Sequence, residues 1–155
     1  MLKMVEVFGS TSAADISAFE QRHGIRLPEP YKQFLLKNNG GDADGGFFEV
    51  PGWGRTLVAY FNGIGLSGSY DLDGILDRIG YFFPKNLLPI ADDPGGNQIC
   101  ISLADKTFGQ VYFWAHDEGE PVDPDQADQH PSVYYLAPDF VGFIQNLEGD
   151  TEAAG

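Results

Sequence analysis

The chain has 155 residues, a single cysteine and a formal net charge of −14, and 43% of its residues are hydrophobic. This length and composition exclude a disordered chain and a disulfide-stapled miniprotein, and they fit one domain with its own core. The charge argues against nucleic acid and anionic lipid as partners. The longest uncharged stretch, residues 56–70, is shorter than the roughly 20 apolar residues that cross a bilayer.

Two helices are predicted at the N-terminal end. Ser12 and Asp15 form a capping pattern at the start of the first helix, and Gly24 followed by Ile25 is typical of a Schellman end. Pro28 and Pro30 begin the second helix. Its apolar stripe is Tyr31, Phe34 and Leu35, and the glycine- and asparagine-rich residues 38–41 are expected to end it.

The centre of the chain has the alternation and turn residues that are typical of strands. The predicted strands are Phe47–Val50, Thr56–Phe61, Leu87–Ala91, Gln98–Leu103, Gln110–Trp114 and Val133–Ala137. Asp71–Ile79 is predicted to form a short helix, and a final helix is expected from Pro138-Asp139. Residues 118–131 are predicted to form an exposed acidic loop.

These elements predict an α+β fold. We expect a mostly antiparallel sheet of about four to six strands, with two N-terminal helices and one C-terminal helix packed on it. The chain is expected to be a single domain over residues 1–155, with a core at about 12–147 and a frayed tail at 148–155.

Two sets of residues resemble a known family. The first is Phe19-Glu20, Gly24, Leu27-Pro28, Tyr31, Phe34-Leu35 and Asn39-Gly40-Gly41. The second is Leu88-Pro89-Ile90-Ala91, Gly96-Asn97, Ile99-Cys100 and Val111-Tyr112-Phe113-Trp114 with His116. Together they resemble the SUKH superfamily, which contains the yeast cell-wall-assembly regulators of Smi/Knr type and many bacterial immunity proteins. The resemblance implies a sheet backed by helices and a stand-alone bacterial member.

The acidic stretch Asp92–Asn97 could suit a hard cation, but neither EF-hand nor P-loop spacing accompanies it. A strand connection is the preferred interpretation, with positive φ angles at Gly96 and Asn97. The glycines at 63, 65 and 68 match a GxGxxG string without a nucleotide-binding context.

No catalytic or metal site is predicted. Cys100 could be a nucleophile with His116 as base, but its apolar strand-like surroundings favour a buried, inert thiol. The three histidines lack zinc-site spacing. We therefore expect a protein without a cofactor or metal that is not an enzyme, although a site invisible to motif analysis stays an alternative.

The acidic charge is unevenly distributed. The whole chain has 9 basic and 23 acidic residues. Residues 1–37 contain five of the basic and four of the acidic residues, so the rest of the chain has four basic and nineteen acidic residues. The acidic part of the chain after residue 37 would attract basic partners and speed their association. The alternative explanation is that an acidic surface keeps a small protein soluble. Glu6 interrupts the only apolar run near the N-terminus, so no signal peptide is expected and the protein is predicted to be cytoplasmic.

The resemblance implies an immunity protein that neutralises a toxin domain by steric and electrostatic occlusion. The toxin domain could be a nuclease. The candidate partner-binding residues are Asp42, Asp44, Glu49 and Trp53 in the first loop region, and Asp92, Asp93, Glu118 and Glu120 in the later loops. Trp53 could instead fold over the core, whereas Trp114 is expected inside it. The alternative function is a regulatory scaffold or peptide-binding module, as in the eukaryotic regulators. The oligomeric state stays undetermined.

Overall fold

The computed structural model describes residues 2–79, 86–119 and 130–148, with only the backbone of Ile79. The helices are α1 (Ala13–His23), α2 (Glu29–Lys37), α3 (Leu72–Ile79) and α4 (Phe140–Gln145). The strands are β1 (Met4–Gly9), β2 (Asn39–Ala43), β3 (Phe47–Val50), β4 (Gly54–Leu57), β5 (Tyr60–Phe61), β6 (Leu87–Asp92), β7 (Gln98–Ser102), β8 (Val111–Trp114) and β9 (Val133–Ala137).

Seven of the described strands form one antiparallel sheet in the order β1-β2-β5-β6-β7-β8-β9, and β3 and β4 form a separate hairpin. The α+β prediction is therefore confirmed. The sheet has more strands than expected because β1 and β2 were not predicted. The single strand predicted over Thr56–Phe61 is wrong, since it divides into β4 of the hairpin and β5 of the main sheet.

The main core lies between one face of the sheet and the helices. We call this face the helix face. Phe61, Ile99 and Phe113 are fully buried on it. The helices contribute buried residues to this core, namely Ile16 and Phe19 from α1, Tyr31 and Leu35 from α2, and Phe140 and Phe143 from α4. Leu72 brings α3 into the same core.

The ends of the first helix are as predicted. The Ser12 hydroxyl accepts a hydrogen bond from the Asp15 backbone N–H at 3.1 Å. Gly24 has the left-handed φ of 63°, and the N–H groups of Gly24 and Ile25 bond the carbonyls of Gln21 and Glu20. This is the Schellman arrangement, which satisfies carbonyls that the last helical turn leaves unpaired.

The opposite face of the sheet, which we call the second face, has a smaller buried cluster of Leu87, Cys100, Tyr112, Trp114 and Val133. The predictions that Cys100 and Trp114 are buried are thus confirmed. Burial raises the pKa of the Cys100 thiol, because the thiolate would lose its solvation.

Candidate functional site

A single row of paired residues crosses the whole sheet on the second face. Residues directly opposite each other on antiparallel strands have their side chains on the same face. From β1 to β9 the row is Glu6, Asp42, Tyr60, Asp92, Gln98, Trp114 and Val133. Two predicted site residues, Asp42 and Asp92, therefore lie on either side of Tyr60, although 50 positions separate them in the sequence.

Three aromatic rings lie beside these carboxylates. The ring centroids are 4.7 Å apart for Tyr60 and Tyr70, 5.3 Å for Phe8 and Tyr70, and 6.0 Å for Phe8 and Tyr60. All three side chains are only partly buried. We call the surface formed by Glu6, Phe8, Asp42, Tyr60, Tyr70 and Asp92 the aromatic–acidic patch.

The loop between β5 and α3 positions Tyr70. The buried Asn39 amide donates to the Ile64 carbonyl and accepts from its N–H, both at 2.8 Å. Gly63 donates its N–H to the Tyr70 carbonyl at 2.8 Å. A Cβ on Gly63 would lie 2.8 Å from the backbone carbon of Asn39, so only glycine allows this approach. The glycine string thus has a structural explanation in the backbone geometry of the loop.

The two carboxylates that flank Tyr60 have no cationic partner among the described residues. Neither Asp42 nor Asp92 forms an ion pair with any residue that the structure describes. Burial raises the pKa of Asp92 to about 6, and the neighbouring Asp93 charge adds to this, while the hydrogen bond from the Tyr60 N–H opposes it. Burial also raises the pKa of Tyr70, and so do the charges of Asp92 and Asp42.

Asp93 lies in a different environment, inside the turn between β6 and β7. Its carboxylate accepts hydrogen bonds from the N–H groups of Gly95 and Asn97, from the Asn97 side chain and from the Thr56 hydroxyl, at 2.8–3.0 Å. The predicted strand connection is therefore found. Gly96 has the expected positive φ of 87°, but the prediction for Asn97 was wrong. Asn97 stabilises the turn through its side chain, which also accepts from the His116 N–H.

Two of the other candidates, Glu49 and Glu118, already have partners near the β3–β4 hairpin, away from the patch. Arg55 pairs with Glu49 at 3.5 Å and with Glu148 at 2.8 Å. The Tyr134 hydroxyl donates to Glu118 at 2.6 Å, and this bond raises the pKa of Tyr134.

The remaining three candidates differ in their surroundings. Trp53 is 37% exposed, and its ring packs on Phe113 with centroids 4.6 Å apart, so it covers the core while keeping a surface. Asp44 is exposed just after β2. Glu120 lies outside the described residues.

The structure adds four residues that the sequence reasoning missed, namely Glu6, Phe8, Tyr60 and Tyr70. Alternation between Tyr60 and the core residue Phe61 was the available signal for Tyr60, because successive strand residues face opposite sides. The others depend on the pairing of β1 with β2 and on the loop that presents Tyr70.

The described residues contain no group of three or more potential metal ligands of the His, Cys, Asp or Glu type. His116 bonds the Gly95 carbonyl through Nε2 at 2.9 Å, which places it at the Asp93 turn. None of the helices in the described ranges has the length and apolar content to cross a membrane.

An antiparallel sheet with helices on one face, and with charged and aromatic side chains on the other, defines this chain as an α+β domain. The chain belongs to the SMI1/KNR4 family (SUKH-1), which it matches over residues 10–146. The resemblance seen in the sequence is thus confirmed.

A curated relative is the SPbeta prophage-derived uncharacterized protein YokK of Bacillus subtilis strain 168. The two sequences are 28% identical over 124 residues, which cover 68% of this chain and 62% of YokK. The match therefore spans less than two thirds of that relative's length.

Proposed function

We propose that this chain is a non-catalytic immunity protein that binds a basic toxin domain in the cytoplasm and covers its active face. Membership of the SMI1/KNR4 (SUKH-1) family carries the proposal, because the SUKH superfamily contains many bacterial immunity proteins. The net charge of −14 supports a basic partner, since opposite charge steers association. A nuclease is one such partner, because its active face has to bind phosphate.

The residues proposed for the interface are those whose carboxylates are available on the surface. Asp42 and Asp92 on the second face and the exposed Asp44 have this property. Asp93 is 4% exposed, so its role is proposed to be the support of the turn beside the interface. Glu49 and Glu118 already have partners at the β3–β4 hairpin, so they are proposed to lie at the rim of the interface with Trp53, where exposed charges contribute little to affinity. Glu120 is proposed from its charge alone.

Co-expression with the adjacent reading frames tests the function. The expected result is a stable complex with one neighbouring product, together with rescue of the growth defect which that product causes alone. A chain that rescues no neighbour and co-purifies with none would contradict the proposal.

A second candidate, a peptide-binding module, is favoured by β1. This strand lies at an end of the described sheet, and its Val5 and Val7 side chains are 65% and 41% exposed. Exposed sheet edges can accept an extended peptide as an added strand. The double change Val5→Lys and Val7→Lys would then weaken partner binding, because lysines on an edge strand oppose strand addition. The immunity function through the second face would tolerate it, because neither valine belongs to the aromatic–acidic patch.

A further inference from the structure

The aromatic–acidic patch combines two features that recognise the same kind of ligand. The faces of aromatic rings attract cations, and carboxylates form charge-assisted hydrogen bonds with them. Neighbouring strands are about 4.8 Å apart, so Asp42 and Asp92 are separated by about 10 Å with Tyr60 between them. A flat cation above Tyr60 would thus have a carboxylate on each side.

We propose that this patch binds an arginine side chain of a basic protein partner, with the guanidinium over Tyr60 and Tyr70 and paired with Asp42 and Asp92. The proposal rests on the proposed function, because it names the partner chemistry and the surface for the same binding activity. A guanidinium fits better than an ammonium because it is planar, stacks on rings and is more weakly hydrated.

The geometry disfavours a metal ion at the same place. A calcium ion needs six to eight oxygen ligands at about 2.3–2.6 Å, whereas a ring lies between these two carboxylates. Carboxylates on either side of an aromatic surface suit an organic cation that contacts the ring and reaches both acids.

The charged state of Asp92 gives independent support. This carboxylate is partly buried and faces Tyr60 of β5, Gln98 of β7 and the nearby Asp42 and Tyr70, with Asp93 next to it on the chain. Burial raises its pKa, the charge of Asp93 adds to this, and none of these neighbouring groups is a cation that would lower it. A guanidinium from a partner would supply that missing charge, and ionised groups in unfavourable surroundings are common at functional sites.

The hairpin acids provide an internal comparison. Glu49 already pairs with Arg55, and Glu118 already accepts the Tyr134 hydroxyl. An incoming arginine would have to compete with these contacts. The variants D42N/D92N and E49Q/E118Q remove the same charge from the two regions and so form a matched pair.

The test uses the full free chain, labelled with ¹⁵N, and three probes in physiological salt: hexa-arginine amide, hexa-lysine amide and the uncharged hexa-citrulline amide. We expect hexa-arginine to shift the backbone signals of Asp42, Tyr60, Tyr70 and Asp92, and to bind several-fold more tightly than hexa-lysine. Equal binding of arginine and lysine probes, or shifts centred on the hairpin, would overturn the proposal.

The matched variants complete the test. D42N/D92N is expected to weaken hexa-arginine binding roughly tenfold, because two charge-assisted bonds are lost, whereas E49Q/E118Q changes it less than about twofold. Tyr70→Leu should weaken hexa-arginine binding more than hexa-lysine binding. Native-like NMR spectra confirm that each variant folds. Equal weakening by the two double variants would contradict the assignment to the patch.

This experiment is independent of any toxin. If the chain neutralises a toxin and D42N/D92N does not change its affinity for that toxin, the immunity function is supported and the arginine site is rejected. If the patch binds arginine selectively but no neighbouring gene product is toxic, the arginine site is supported and the immunity function is rejected.

Discussion

Asp92 and Asp93 are consecutive residues of one strand end, yet their surroundings differ completely. Asp93 accepts four hydrogen bonds of 2.8–3.0 Å from turn and hairpin groups, whereas Asp92 accepts a longer bond of 3.2 Å from the Tyr60 N–H. The reason is that Asp92 is the last residue of β6 and is paired with Tyr60, whereas Asp93 begins the turn and its carboxylate accepts the N–H groups of that turn. Identical residue types therefore serve stability in one position and are proposed to serve binding in the other.

The largest effect is expected from Asp93→Ala. The change removes the acceptor for four hydrogen bonds and leaves buried donors of the turn unpaired, so the free energy of unfolding should fall by about 3 kcal/mol. Urea unfolding measures it. Asp117→Ala is the control, because the Asp117 side chain is 87% exposed and its loss should change stability by less than about 0.5 kcal/mol. Similar stabilities of the two variants would contradict the structural role of Asp93.

Gly63→Ala tests the loop that presents Tyr70. The new methyl group would come within 2.8 Å of the Asn39 backbone, and we expect a loss of about 2 kcal/mol from the displaced loop. Gly74→Ala is the matched control. Its nearest neighbours would be 3.7 Å away within α3, so alanine should raise stability by about 0.5–1 kcal/mol. Thermal unfolding measures both stabilities. If Gly63→Ala and Gly74→Ala both lowered or both raised the stability, the assigned roles of the two glycines would be contradicted.

Asp92→Asn should raise stability at pH 7.5 by about 1 kcal/mol, less than the full raised pKa implies because the group is partly exposed. The folded pKa of about 6 lies above the unfolded value, so ionisation of Asp92 opposes folding. The gain should be complete above pH 6 and vanish below about pH 4, where the carboxyl is protonated in both states. Denaturant unfolding at several pH values measures this, and a pH-independent gain would contradict the assigned cause.

Tyr134→Phe should have the smallest effect. It removes a hydrogen bond from an exposed hydroxyl to Glu118, so we expect a loss of at most about 0.5 kcal/mol and unchanged hexa-arginine binding. Calorimetry and the NMR titration measure the two quantities. A clear loss of arginine binding would show that the β3–β4 hairpin side, and not the second face, holds the cation.

The features of the fold that were predicted correctly from the sequence depend on local residue patterns. The strands Phe47–Val50 and Val133–Ala137 were predicted with their observed bounds, and the caps at Ser12 and Gly24 were correct. These features depend on neighbouring residues, through side-chain alternation and terminal hydrogen bonds.

The missed elements depend on distant contacts. The predicted end of α2 is correct, with Asn38 as its C-cap, but the next three residues also begin β2. Gly41 lets β1 approach there, because any Cβ at this position would lie 2.2 Å from the Glu6 carbonyl oxygen. Likewise, Asp42 and Asp92 were candidates from charge alone, and only the strand register brings both to Tyr60.

Binding through the second face is tested most directly by calorimetric titration of the partner that co-expression identifies with the wild-type chain, D42N/D92N and E49Q/E118Q. We expect D42N/D92N to weaken the complex at least tenfold while being no less stable than the wild type, and E49Q/E118Q to bind within about twofold. Equal affinity of the wild type and D42N/D92N would contradict the assignment of binding to the second face.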